Sequence, residues 1–114
     1  MSKPTDLVQG TLDLLILKTL TLGPMHGWSI AQQIRQRSQG VLQVQQGSLY
    51  PALHKLEADG VIVGDWREAN GRRRRYYRLT PKGKKDLERK LARWREFAGT
   101  MNAVLEEAHH AACA

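Results

Sequence analysis

Apolar and polar positions follow two periods along this chain, and each change of period marks a new element. Leu12, Leu14, Leu15, Ile16, Leu17, Leu20 and Leu22 are apolar nearly all round a helical wheel. Such a helix has to be covered on more than one side. Gly23-Pro24 ends it, because proline biases the residue before it away from the helical region. Over residues 27–37, Ile30 and Ile34 sit one turn apart and predict a second helix facing inward, broken at Gln39-Gly40. A third helix begins at Gly47 or Ser48, with Leu49, Leu53 and Leu56 on one edge at i, i+4 and i+7. That wheel turns Ser48, Pro51, His54, Lys55 and Ala58 to the other side. Pro51 is read into the first turn, where amide groups have no intrahelical partner and proline costs little. Asp59-Gly60 stops the helix.

The period then falls to two. Val61-Ile62-Val63-Gly64-Asp65-Trp66 predicts a strand, Asn70-Gly71 a hairpin turn, and residues 74–79 the returning strand. Alternation places Arg75, Tyr77 and Leu79 on one face and Arg74, Tyr76 and Arg78 on the other. Tyr77 and Leu79 are expected over the core, with Arg75 pointing inward beside them. Trp28 and Trp66 are expected in the core or at its boundary. Thr80-Pro81 opens the last helix, threonine as N-cap and proline in the first helical position. Leu87, Leu91, Trp94, Ala98, Met101 and Leu105 step by alternating fours and threes, a heptad-like seam. So long a seam has few local elements to pack on, and a second copy of the chain is the economical partner. The expected fold is mainly α: a winged helix-turn-helix of three helices and a two-stranded β-wing over residues 1–80. A long C-terminal dimerisation helix follows over residues 81–108, then a disordered tail over 109–114.

Charge sharpens this picture. The 114 residues carry a formal net charge of +7, which favours a polyanionic partner. Thirteen Lys and Arg against three acids fall between Arg67 and Arg95, a local net of +10, and the rest of the chain is net −3. One cysteine, Cys113, excludes an internal disulfide and fits a reducing compartment. The N-terminal apolar run is interrupted by Asp13 and Lys18 and is too short to span a bilayer. The expectation is one cytoplasmic domain without a membrane partner. No nucleophile–base pair, carboxylate dyad or phosphate-binding glycine loop is present, so neither enzyme activity nor a cofactor is expected. His109, His110 and Cys113 lack a nearby fourth ligand, and no metal site is expected. His26, in a tight turn after Pro24-Met25, is read as structural.

An outward polar helix face followed by a basic hairpin suits a DNA duplex, the helix in the major groove and the hairpin tip on phosphates or in the neighbouring minor groove. The candidate DNA-contacting residues are Ser48, Tyr50, Pro51, His54 and Lys55 on the third helix and Arg72, Arg73 and Arg74 at the turn. The rival reading is a winged-helix module whose basic wing binds an acidic protein.

Four segments carry a resemblance to a known family. They are Gly10-Thr11-Leu12, Gly23-Pro24-Met25-His26-Gly27-Trp28, Gly47-Ser48-Leu49-Tyr50-Pro51-Ala52-Leu53 with Leu56-Glu57, and residues 73–80 with Gly83. In these the chain resembles the short, single-domain group of PadR-like transcriptional regulators. The resemblance implies a homodimer joined through the last and first helices, short inverted-repeat operators in double-stranded DNA, and repression of a nearby operon. Leu12, Leu15, Leu87, Leu91, Ala98, Met101 and Leu105 are then the candidate interface. Trp94, with Phe97, resembles the drug-stacking position of multidrug-responsive relatives, and marks a candidate site for a small aromatic effector.

Overall fold

The structure is a computed structural model and describes residues 4–113, with side chains described over 10–106. α1 (Pro4–Thr19) runs into a single 3-10 turn, Leu20–Leu22, and starts earlier than its apolar run suggests. α2 (Gly27–Arg37) and α3 (Gln46–Ala58) form the helix-turn-helix. β2 (Ile62–Ala69) and β3 (Arg72–Leu79) form the hairpin, and α4 (Pro81–Cys113) closes the chain.

The wing has three strands, not two. Met25–His26 forms a short β1 that pairs antiparallel with Tyr77 and Tyr76, so the sheet order is β1-β3-β2. Two residues after a proline carry too little pattern to read as a strand, and only the return of β3 alongside them makes them one. The hairpin register pairs Ala69 with Arg72 across Asn70-Gly71, whose φ values of 54° and 76° suit a two-residue turn of left-handed residues. The strands run closer to the turn on both sides than their apolar residues indicate.

Ile16, Leu17, Ile30, Leu49, Leu53, Leu56 and Ile62 are the largest fully buried side chains, and Tyr77 joins them as expected. α1 lies across α2, α3 and α4 and so forms the centre of the core. Leu79 packs on its edge. Trp28 and Trp66 depart from expectation: they are 59% and 55% exposed. Trp28 falls on the outer side of α2, away from Ile30 and Ile34, and Trp66 lies beyond the end of the sheet that α3 covers.

Pro51 is the sixth residue of α3, in the second turn rather than the first. The carbonyl that loses its partner belongs to Gly47, an exposed residue, so water can satisfy it. The end of α2 is a hydrogen-bonded stop: Gly40 N–H donates to Arg35 O at 2.8 Å and Gln39 N–H to Gln36 O at 3.1 Å, with Gln39 at φ 54°.

The start of α4 is tied to the strands. The Thr80 hydroxyl oxygen accepts from Gly83 N–H at 3.0 Å, as an N-cap should, and its O–H donates to Gly60 O at 2.7 Å. Gly83 is required by proximity: a Cβ there would stand 1.9 Å from Val61 O. Leu87 is buried in the core, Trp94 and Phe97 still border α1, and α4 runs on beyond them, so the molecule extends to 65 × 29 × 26 Å. The helix continues past residue 108 to Cys113, where a tail was expected; alanines 108, 111 and 112 favour helix there. The side chains of His109, His110 and Cys113 lie outside the described residues.

Candidate nucleic-acid interface

The inward stripe of α3 decides its outward face. Burial of Leu49, Ala52, Leu53 and Leu56 leaves Ser48, Pro51, His54 and Lys55 exposed together. Tyr50 is different. It is 38% exposed and its ring turns back over the start of α2, where a Cβ on Gly27 would lie 3.1 Å from both Tyr50 Cε1 and Oη. Glycine at position 27 is what lets the ring lie there.

The four consecutive arginines that open β3 divide by exposure and partner. Arg72 and Arg73 are exposed near the turn. Arg74 is half-buried, with Nη1 3.1 Å from His26 Nε2, so it ties the wing to the start of α2. Arg75 is structural: it pairs with Glu57 of α3. The same Glu57 Oε2 accepts the Gly64 N–H of β2 at 3.1 Å. One carboxylate thereby braces the wing against the recognition-type helix. Gly64 is needed here, because a Cβ would stand 2.5 Å from Arg75 Nε. The hydrogen bond from Arg75 to Glu57 raises the guanidinium pKa further above its ordinary range.

His26 is the N-cap of α2. Its Nδ1 faces Ser29 N–H at 3.4 Å, and its ring meets Tyr76 edge-on at 5.3 Å between centroids. Burial, and then the Arg74 charge, lower its pKa and favour the neutral ring. That agrees with its structural reading.

Sequence reasoning did not assign Trp66 to this surface. The register sets Trp66 opposite Arg75, with the Arg73 guanidinium 5.1 Å and the Arg75 guanidinium 5.6 Å from the Trp66 ring centre. Arg67 lies over Tyr76 in the same way on the other face, at 5.2 Å. The signal was aromatic and arginine residues at matching parity on two strands, readable only once the pairing is known.

The candidate dimer-interface residues of α1 and α4 split by burial. Leu12 and Leu87 are each 7% exposed, inside the chain's own core. Leu15, Leu91 and Ala98 are half-buried, and Met101 and Leu105 are exposed. Trp94 and Phe97, also exposed, have ring centroids 6.2 Å apart. They border a hollow of about 470 Å³ that also reaches Leu15 of α1, Val44 of the α2–α3 connector and Ser48 at the start of α3. No group of three or more His, Cys, Asp or Glu that could hold a metal occurs among the described residues. No helix among them is long and apolar enough to cross a membrane.

Residues 16–89 match the model of the transcriptional regulator PadR-like family, which takes in α2, α3, the whole wing and the start of α4. The chain belongs to the PadR-like family of transcriptional regulators. A PadR family transcription regulator from hypervirulent Clostridium difficile R20291 has the same fold at a TM-score of 0.73 and 34% identity, over 82% of this chain and 97% of that one. A transcriptional regulator from Clostridium thermocellum superposes at a TM-score of 0.79 with 32% identity, over 85% of this chain and 95% of its own. Transcriptional regulator Rv3488 of Mycobacterium tuberculosis is 43% identical over 63 residues, 55% of this chain and 56% of that protein. Membership in the PadR-like family makes the chain a transcriptional regulator and not an enzyme.

Proposed function

We propose that this PadR-like regulator is a cytoplasmic homodimeric repressor that binds an inverted-repeat operator near the operon it controls. The observation that carries the reading is the brace at Glu57. It holds an arginine-bearing wing at a set distance from the exposed Ser48, Pro51, His54 and Lys55 face. A helix and a hairpin held in that way can enter adjacent grooves of one duplex. Arg72 and Arg73, with Lys55, suit phosphate contacts, while Ser48 and His54 suit base edges or phosphates. No arginine or asparagine lies among the exposed α3 residues named, so bidentate base readout is scarce and operator choice rests in part on DNA shape and half-site spacing.

The exposed apolar residues of α4, Trp94, Phe97, Met101, Val104 and Leu105, form the surface a second copy would cover, continued by Leu91 and Ala98. Leu12 and Leu87 support that seam from beneath rather than facing it. Trp94 and Phe97 supply a flat apolar wall for a planar aromatic effector, next to residues that position α3.

Salt-dependent binding to a short mixed-sequence duplex tests the DNA reading. Affinity should fall steeply as salt rises, and replacing Arg72 and Arg73 by alanine should flatten the log–log slope by about one unit per lost phosphate contact. A protein that leaves duplex DNA unbound at low salt, yet captures an acidic polypeptide, would be the rival interaction module instead.

A further inference from the structure

Between the start of α2 and the wing, with Tyr50 of α3 at one wall, lies an open crevice of about 510 Å³. Trp28, Tyr50 and Trp66 wall it, and Arg73 and Arg74 border it. Two exposed tryptophans and a half-exposed tyrosine around one hollow are unusual on a soluble surface and mark a place that something covers. Arg73 and Arg75 both lie over Trp66, so the indole is a platform that holds guanidinium groups in place. The backbone is open here too. β1 pairs with Tyr76 and Tyr77, so among the described residues no strand lies beside the outer edge of β3 at residues 72–75.

The occupant follows from groove geometry and rests on the DNA reading above. A helix in a major groove and a hairpin in the adjoining minor groove stand on opposite sides of one sugar–phosphate strand. That strand has to pass between them, and this crevice opens beside its path, between the start of α2 and the wing with Tyr50 of α3 at its edge. We infer that the crevice seats the sugar–phosphate strand that separates the two grooves. Trp28 packs on deoxyribose, and the Tyr50 hydroxyl and Arg73 donate to consecutive phosphates. Trp66 acts through Arg73 and is a positioning residue, whereas Trp28 and Tyr50 touch the strand. The positive rim matches a polyanion, and the aromatic walls match the apolar faces of its sugars.

The test uses the full-length protein and a short mixed-sequence duplex. Trp28→Ala and Trp66→Ala should each weaken binding about threefold or more, the scale of a lost cation–π or aromatic contact. Both side chains are more than half exposed, so thermal stability should stay at the parent value. Trp66→Phe keeps a ring face for Arg73 and should recover most of the loss. Trp66→Ala should also flatten the salt slope although it removes no charge, which a merely structural role would not do. Ethylation of backbone phosphates should interfere most at those between the major-groove and minor-groove contacts. If the duplex is not bound at all, the DNA reading fails and this proposal with it. If Arg72→Ala/Arg73→Ala weakens binding while the tryptophan variants bind with the parent's affinity and salt slope, the wing is on DNA but the crevice is empty. That outcome overturns this proposal alone.

Discussion

Glu57, Gly64 and Arg75 show how much of the candidate interface depends on single residues. The carboxylate joins α3 to both wing strands, and it can do so only because position 64 has no side chain. His26 plays a second linking part at the other end of the wing, between the α2 cap and Arg74. Its folded pKa lies below the ordinary histidine value of about 6.5, so the unfolded chain takes up the proton first as pH falls. The stability due to neutral His26 is therefore complete above about pH 6.5 and is lost as pH drops through the lower folded value. Unfolding by urea at a series of pH values should show the midpoint falling in that window. His26→Asn keeps a capping acceptor without a titratable ring and should flatten the fall. A wild-type midpoint that is constant from neutral to mildly acidic pH would contradict the neutral cap.

The ends of α2 and α4 are stopped in different ways. α4 begins on a side-chain cap and a required glycine. α2 ends on a doubly hydrogen-bonded turn with two left-handed residues, Gln39 at φ 54° and Gly40 at φ 82°, the first of which is not glycine. A non-glycine residue in that region carries a cost of about 1–2 kcal/mol, part of which glycine loses again as unfolded-state entropy. Gln39→Gly should therefore stabilise the fold by about 0.5–1 kcal/mol, read from chemical denaturation. The side chain is exposed, so no packing is lost. A destabilised variant would mean that another contact, not the backbone angle, holds that turn.

At the scale of the molecule, a small body carries one helix far longer than itself. The outer apolar residues of α4 are left exposed among the described residues; Leu105 is 59% exposed and Met101 44%. With the proposed homodimer, Leu105→Asp places a charge in the seam with no partner, at a cost of several kcal/mol. Sedimentation should show a shift from dimer to monomer, with duplex affinity falling because two linked half-sites become one. A tight dimer in this variant would move the interface elsewhere on the surface.

The periodic pattern alone determined the elements and their inward faces, because burial imposes a period of 3.6 on a helix and two on a strand. That is why the α3 stripe, the hairpin turn at Asn70-Gly71, the Thr80 cap and the inward Tyr77 were legible in advance. Tertiary structure decided what no local period encodes. The short β1 exists only because β3 returns beside it. Trp66 stacks with arginines, Arg74 turns to His26 and Tyr50 folds over Gly27 because strand register and helix docking bring distant residues together. Leu12 and Leu87 share the apolar pattern of an outer seam, yet they lie inside, because hydrophobic spacing marks a face to be buried and only the packed fold says what buries it.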